Sequence, residues 1–485
     1  MIAKDTVNEF DHVFGYAPSH RKHDKSKRAS GSTKPSKKPG VTPFYGNLVK
    51  YECSGSVPNH VVSYRQFSNM IRDGSVPYPV VVQGDSKISA HPSSYLITSR
   101  LGHGGQGTVY DALMIEHDCI QCMPPCGSYL HVAIKVVVDA DDANEIRYMR
   151  ALSGVNGVCP LLEYGVIEHY EHPNMNHYTY FLVLPYITSV SVHDLHHHPD
   201  LLHTYIVHLL ASLACLQQLG LIHHDIKQDN FLMDAEGHSF MIDFGLSCFC
   251  DHWECRCPSC HLSQVVHKDD CGYRRWMTNL LSTTGCCYPI QDIPNLEDLG
   301  MIRRKQLGYD IPVHHDPLPS VVPRMRTVQV TTHMCSGTRG FYPPEALLQW
   351  KHLTTQFDIW SAGIMVLQIL CNTEQRFFYE RSNDVCLKGL EELVGYDGLH
   401  DCARDIESNF PNFKRPVNYG VISSSNTDRS IQVKLLKSFI DKHANGDKVV
   451  YSENMYILLS LMLEPNPFRR VNAIEALKSK YVCEE

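Results

Sequence analysis

Two carboxylates, a lysine and an amide stand in this chain in an order that suits phosphoryl transfer. Residues 221–232 read LIHHDIKQDNFL, and residues 241–245 read MIDFG. Asp225, Lys227 and Asn230 form a D-x-K-x-x-N string, and Asp243 opens a D-F-G string a short interval later. Asp225 can accept the proton of an attacking hydroxyl. Lys227 can neutralise charge on the phosphoryl group in transit. Asn230 and Asp243 offer oxygen ligands, which Mg²⁺ prefers. Any one of the four reads equally well as a turn or cap residue; the ordered set does not.

Upstream, residues 101–109 read LGHGGQGTV. Gly102, Gly104, Gly107 and Val109 fit G-x-G-x-x-G-x-V, with Gly105 a further glycine inside the string. Glycines let backbone amides come close to anionic phosphate oxygens. The same string can open a dinucleotide fold or form a plain hairpin. Val132, Ala133, Ile134 and Lys135 follow as a V-A-I-K strand, whose lysine can hold α- and β-phosphates if a carboxylate orients it. Glu145 is the candidate carboxylate. The competing reading of a lone Lys–Glu pair is a surface ion pair worth under about 1 kcal/mol.

These residues need two kinds of support. Residues 95–97, 108–110, 131–138 and 180–184 are β-branched or aromatic runs and read as strands. Residues 145–152 between them read as a short helix. Beyond residue 190, Ile206, Leu209, Leu210, Leu213 and Leu216 recur at helical spacing, and Gly220 marks a stop. Residues 358–370 and 455–463 are further apolar helices. The plan is α+β in two lobes, with a cleft between them as the place for a ligand. Three stretches interrupt it: 114–130, 247–334 and 396–430.

The chain has 485 residues, 43% of them apolar, and a formal charge of −8. It can bury a large core, and its charge does not fit a general nucleic-acid binder. The first residues lack a basic start and an apolar block, and no run of 18 apolar residues occurs, so a soluble intracellular protein without a membrane span is expected. Residues 1–60 are read as a disordered basic tail. Its segment 19–40 carries eight Lys/Arg against one Asp. That segment reads as a nuclear import signal or as a merely solvated tail.

The 19 cysteines are expected as reduced thiols, some of them on a metal. Cys248, Cys250, Cys255, Cys257, Cys260, His261, His267 and Cys271 are spaced for tetrahedral Zn²⁺, with Cys248, Cys250, Cys257 and Cys260 the preferred set. Cys119, Cys122 and Cys126 form a weaker cluster, which also reads as a loop with free thiols.

Further strings carry a resemblance to the eukaryotic protein kinase superfamily over residues 95–485. Residues 337–345, GTRGFYPPE, resemble the end of an activation segment through Gly337, Thr338, Arg339 and Glu345. Residues 358–363, DIWSAG, resemble the D-x-W-S-x-G helix. Arg470 resembles the arginine that pairs with the glutamate of P-P-E, here Glu345. Lys227 follows the serine/threonine rather than the tyrosine pattern.

The finer resemblance is to the cell division cycle 7 kinases, the catalytic subunits of the DDK complex. It rests on N-F-L at 230–232, G-T-R-G-F at 337–341, L-P-Y at 184–186, residues 145–155, the F-F…S-N-D stretch at 377–384 and the large insert before Gly337.

The resemblance implies a bilobal kinase fold with a β-rich N-lobe at 95–184 and a helical C-lobe at 188–485, preceded by an N-terminal extension at 61–94. It implies ATP bound along Leu101, Ala133, Leu184 and Tyr186, and Mg²⁺ on Asn230 and Asp243. A zinc element in the long insert and an activating subunit of the Dbf-four type also follow from it. So do a nuclear location and replication substrates such as the minichromosome maintenance helicase, phosphorylated at acidic sites. Arg339, Arg324 and Arg326 are candidates to read that negative charge, or are ordinary surface arginines.

His224 departs from the family's H-R-D, so activation is expected to rely little on a phosphate in the activation loop. Two alternatives stand beside this reading: a serine/threonine kinase of another subfamily, and a pseudokinase scaffold. The retained Lys135, Asp225, Asn230 and Asp243 argue against the scaffold.

Overall fold

In the computed structural model, the described residues run from Leu48 to Glu484. The exceptions are 53–60, 86–92, 116–125, 141–143, 153–154, 156, 173–174, 219–220, 250–336, 351–353, 412–428 and 447–448. The first half builds strands β1 (Leu48–Glu52), β2 (Val61–Ser63), β3 (Val80–Gln83), β4 (Ser94–Gly104), β5 (Gly107–Ile115), β6 (Cys126–Ala140), β7 (Glu163–His172) and β8 (Met175–Pro185). They form one sheet in the order β2-β3-β4-β5-β6-β8-β7, with β1 added on β6. Only β2 and β3 pair in parallel; every other neighbouring pair is antiparallel. Helices α1 (Tyr64–Arg72) and α2 (Asn144–Leu152) accompany this sheet.

Strand alternation decides which side chains reach the cleft. Successive residues of a strand point to opposite faces. Val132, Ile134 and Val136 of β6 are buried in the same cluster as Tyr64 and Phe67 of α1. Ala133 and Lys135 between them go to the other face. A reverse turn of two residues, Gly105 and Gln106, joins β4 to β5, with Gly104 opposite Gly107.

Gly107 has φ +121°, and a Cβ there would stand 2.6 Å from the Val136 carbonyl oxygen. Gly107→Ala should therefore cost about 1–3 kcal/mol of backbone strain, read as a lower denaturant midpoint. A midpoint equal to the parent's would overturn this account of the turn.

The second half is helical: α3 (Val192–His197), α4 (Pro199–Gln218), α5 (Pro344–Leu347), α6 (Gln356–Leu370), α7 (Asn383–Val394), α8 (Tyr396–Asp405), α9 (Arg429–His443), α10 (Glu453–Met462), α11 (Ala473–Ala476) and α12 (Lys480–Glu484). Short strands β9 (Leu221–Ile222), β10 (Phe231–Met233), β11 (Ser239–Met241) and β12 (Cys248–Phe249) pair as β9 with β12 and β10 with β11. Every residue of α6 is buried, as befits a helix that is apolar nearly all round and runs through a core. Helix α4 is long and apolar enough to cross a membrane, but 67% of that stretch is buried within the fold. One apolar cluster joins Ile146, Met149 and Leu152 of α2 to Leu209 and Leu213 of α4 and Trp360 of α6. That continuity fixes the two lobes on either side of the cleft.

The α+β expectation holds, and several boundaries need correction. Residues 48–52 lie inside the stretch 1–60 read as a disordered tail, yet they form β1, with Leu48 opposite Leu130 and Glu52 opposite Cys126. The physical reason is β6, which runs on to Cys126; its outer backbone groups need hydrogen-bond partners. The same extension places Cys126–Leu130 of the presumed insert 114–130 in a strand, and Met114 and Ile115 belong to β5.

Of the extension 61–94, the described residues 61–85 and 93–94 pack as part of the N-lobe. β3 pairs with β4. Helix α1 is started by a capping box between Ser63 and Gln66, and the Tyr64 ring stacks on Phe181 of β8 at 4.3 Å. Within 396–430, α8 forms because Leu399, Cys402 and Ala403 recur at helical spacing and are buried.

Candidate active site

Lys135 of β6 reaches both lobes. Its Nζ lies 2.7 Å from Glu145 Oε1 on α2 and 2.8 Å from Asp243 Oδ1 after β11. Tyr180 of β8 donates to the other Glu145 oxygen at 2.9 Å. Lys135 and Glu145 are both buried. Burial alone would push the Lys135 ammonium down; Glu145 and Asp243 outweigh it and hold its pKa above the ordinary lysine value. The lysine is thus a fixed cation at the cleft. Val109 is the strand partner of Lys135, and Leu184 is the partner of Ala133. Tyr186 follows, its ring stacked on His131 at 4.0 Å. Leu101, Gly102, Gly104 and Gly105 are exposed along the β4–β5 hairpin.

The loop between β9 and β10 holds Asp225, Lys227 and Asn230. Helix α6 clamps it: Asp358 accepts the backbone N–H of His223 at 2.7 Å and of His224 at 2.9 Å. His224 there has φ +69° and Asp243 has φ +64°. Both lie in the left-handed region, which costs a residue with a Cβ about 1–3 kcal/mol and gathers at working sites.

Lys227 donates to Asp225 Oδ2 at 2.8 Å and to Thr338 Oγ1 at 2.9 Å, and Thr338 donates to Asp225 Oδ1 at 2.6 Å. Asn230 Nδ2 donates to the Asp225 backbone oxygen at 2.8 Å and to Oδ2 at 2.9 Å. Burial would raise the Asp225 carboxyl, but the hydrogen bonds from Lys227 and Thr338 and the Lys227 charge hold it below the ordinary value. Asp225 is thereby an ionised base with a fixed aim.

Gly337 makes the Thr338 contact possible. It has φ +121°, and a Cβ on it would run into the His224 carbonyl oxygen. Sequence reading placed Thr338 in the activation segment and missed its bond to Asp225; the G-T-R-G-F string was the available signal. Thr338→Val should lower kcat about tenfold or more by removing a hydrogen bond to a charged group. Thr338→Ser should retain most of the rate. A valine variant with the parent's kcat would remove Thr338 from the catalytic group.

With Asn230 Nδ2 engaged, its Oδ1 and the Asp243 carboxylate are the oxygen donors left for a cation. This all-oxygen pair fits Mg²⁺, which when bound would neutralise phosphate charge. Glu345 and Arg470 meet as a buried bidentate pair at 2.7 and 2.8 Å. Arg339 donates to the Glu380 carbonyl oxygen at 2.6 Å and to Asn383 Oδ1 at 3.2 Å. The N–H of His224 Nδ1 donates to the Leu246 carbonyl oxygen at 3.1 Å, and the ring packs edge-on against Phe357 at 4.9 Å. Cys248 Sγ lies 3.9 Å from that nitrogen. Cys250, Cys257 and Cys260, Arg324 and Arg326, and Cys119 and Cys122 lie outside the described residues.

The family model described as "Protein kinase domain" matches residues 95–279 and 322–482, taking in both sides of this cleft. The chain belongs to the protein kinase family.

Among similar proteins, the cell cycle serine/threonine-protein kinase hsk1 of Schizosaccharomyces pombe is 25% identical over 296 residues, which are 56% of this chain and 46% of that one. The probable cell division control protein 7 homolog 2 of Encephalitozoon cuniculi is 23% identical over 399 residues, 80% of this kinase and 91% of that protein. The non-specific serine/threonine protein kinase Cdc7 of Drosophila melanogaster is 27% identical over 176 residues, 30% of this chain and 25% of that one. The matches thus span less than half of the fission yeast and fly proteins. The fission yeast and fly relatives are serine/threonine kinases by name, and the kinase domain here is of that kind, similar to the Cdc7 and hsk1 kinases.

Proposed function

We propose that the chain transfers the γ-phosphoryl group of ATP, with Mg²⁺, to serine and threonine hydroxyls of proteins. The observation that carries this is the Asp225–Lys227–Thr338 group. One carboxylate is held ionised and oriented by an ammonium and a hydroxyl, at a loop whose Asn230 is bonded to the same carboxylate. Asp225 receives the proton of the attacking hydroxyl. Lys227 keeps a positive charge beside it, and Lys135, pinned by Glu145, holds nucleotide phosphates. The likeness to kinases named for the cell cycle supports a finer reading. Its substrates are replication-initiation proteins such as the minichromosome maintenance helicase, taken at acidic sites in the nucleus. A Dbf-four-type subunit activates it, and zinc on Cys248, Cys250, Cys257 and Cys260 braces the long insert.

Phosphoamino-acid analysis of protein labelled by the full chain should give phosphoserine and phosphothreonine. Phosphotyrosine alone would overturn the substrate class. A pull-down with metal analysis reports the subunit and the zinc together; a preparation with neither removes the finer reading and leaves the chemistry standing.

A further inference from the structure

The turn that joins β4 to β5 carries a side chain with no part in the group above. Gln106, half-buried at the tip, reaches the opposite side of the cleft. With its amide nitrogen toward the carboxylate, it lies 2.5 Å from Asp243 Oδ1 and 3.2 Å from Oδ2. The reverse orientation would set oxygen against oxygen. The glycine of D-F-G leaves room for this contact: a Cβ on Gly245 would stand 2.5 Å from the end of the Gln106 side chain and 3.3 Å from Asp243 Oδ1. Across the base of the turn, His103 Nδ1 and Thr108 Oγ1 lie 2.9 Å apart, which stiffens the arm that carries Gln106. Asp243 Oδ1 also accepts from Lys135 at 2.8 Å and from the Gly245 N–H at 3.3 Å. Gln106 is thus the donor on this carboxylate that comes from the glycine-rich turn.

We propose that Gln106 is a latch. It holds the glycine-rich turn down on Asp243 and competes with the divalent cation for the same carboxylate oxygens. The proposal rests on the reading that Asp243 takes a cation with ATP. A neutral amide yields to a dication, so the latch does not block binding; it raises the cation concentration that binding requires. Gln106 is in this sense a positioning residue that acts through Asp243.

The test uses the full chain and the variants Gln106→Met, which keeps length without donors, and Gln106→Ala. Mg²⁺ is titrated against a fixed concentration of a fluorescent, non-hydrolysable ATP analogue. Half-saturating Mg²⁺ should fall roughly fivefold in both variants, the size expected for loss of one hydrogen bond to a charged group that water partly replaces. Amide exchange over residues 102–108 should quicken in both variants without nucleotide and match the parent once the Mg²⁺–analogue complex is bound. Coincident or higher midpoints, or unchanged exchange in the nucleotide-free variants, would overturn the latch while the parent's own titration upholds the nucleotide site. A parent that shows no Mg²⁺-dependent binding would overturn both.

Discussion

Asp225→Asn should lower phosphate transfer roughly a hundredfold to ten-thousandfold, the range set by loss of a positioned general base. The substitution keeps the size of the side chain and removes its basicity. Nucleotide affinity should change little, because the phosphates are assigned to Lys135 and the glycine-rich turn on the other wall of the cleft. The expected signature is a collapse of kcat with the KM for ATP near the parent value. A variant that retains a tenth or more of the parent kcat would sink the assignment of Asp225 as base.

The pH dependence has a definite sign. Asp225 is held below its ordinary value by Lys227 and Thr338 against the opposing effect of burial. Its ionised form is therefore present throughout neutral and mildly acidic solution and is lost only as pH falls through that depressed value. In a kcat–pH profile, an acid limb belonging to Asp225 lies on the acid side of the ordinary aspartate range.

Arg470→Met should destabilise the C-lobe by about 3–5 kcal/mol, since it leaves a buried carboxylate without its counter-charge. Glu345 and Arg470 are each almost wholly buried. The guanidinium does more than pair. It donates to the Gln356, Glu464 and Pro465 backbone oxygens at 2.8, 2.8 and 3.1 Å, and it lies 5.1 Å over the Trp360 ring. The double variant Arg470→Met, Glu345→Met removes the orphaned carboxylate and should recover part of the loss. It should not recover all of it, because three carbonyl oxygens still lose their donor. Chemical unfolding of the single and double variants measures both terms. A single variant within about 1 kcal/mol of the parent would show that the pair carries little of the stability.

The sequence disclosed the parts of the site that are set by short covalent spacing. Asp225, Lys227 and Asn230 sit on one loop, so their order along the chain already places them together. The V-A-I-K strand announced Lys135 through β-branched neighbours whose alternation aims the lysine at the cleft. Contacts made across long stretches of chain were less visible. Thr338 lies more than a hundred residues from Asp225, and the G-T-R-G-F string around it marks the segment without naming the carboxylate it meets. Tyr180 on Glu145 and Gln106 on Asp243 are hidden for the same reason. Residues 48–52 looked featureless because their ordering comes from β6 rather than from their own composition. Helix α8 was missed because its apolar side chains include a cysteine and an alanine among many polar residues, which blurs the periodicity.

The seam between the extension and the sheet bears on where this protein can be cut. Similarity to kinases at large begins at residue 95, but β4 is already flanked by β3, and Tyr64 and Phe67 sit against Tyr110 and Phe181. A fragment trimmed to the family boundary would open a bare strand edge and an oily face at once, the two features that drive chains to clump. The smallest self-sufficient folding unit therefore starts no later than Val61, and residues 61–83, ahead of the family match, are an inseparable part of its N-lobe.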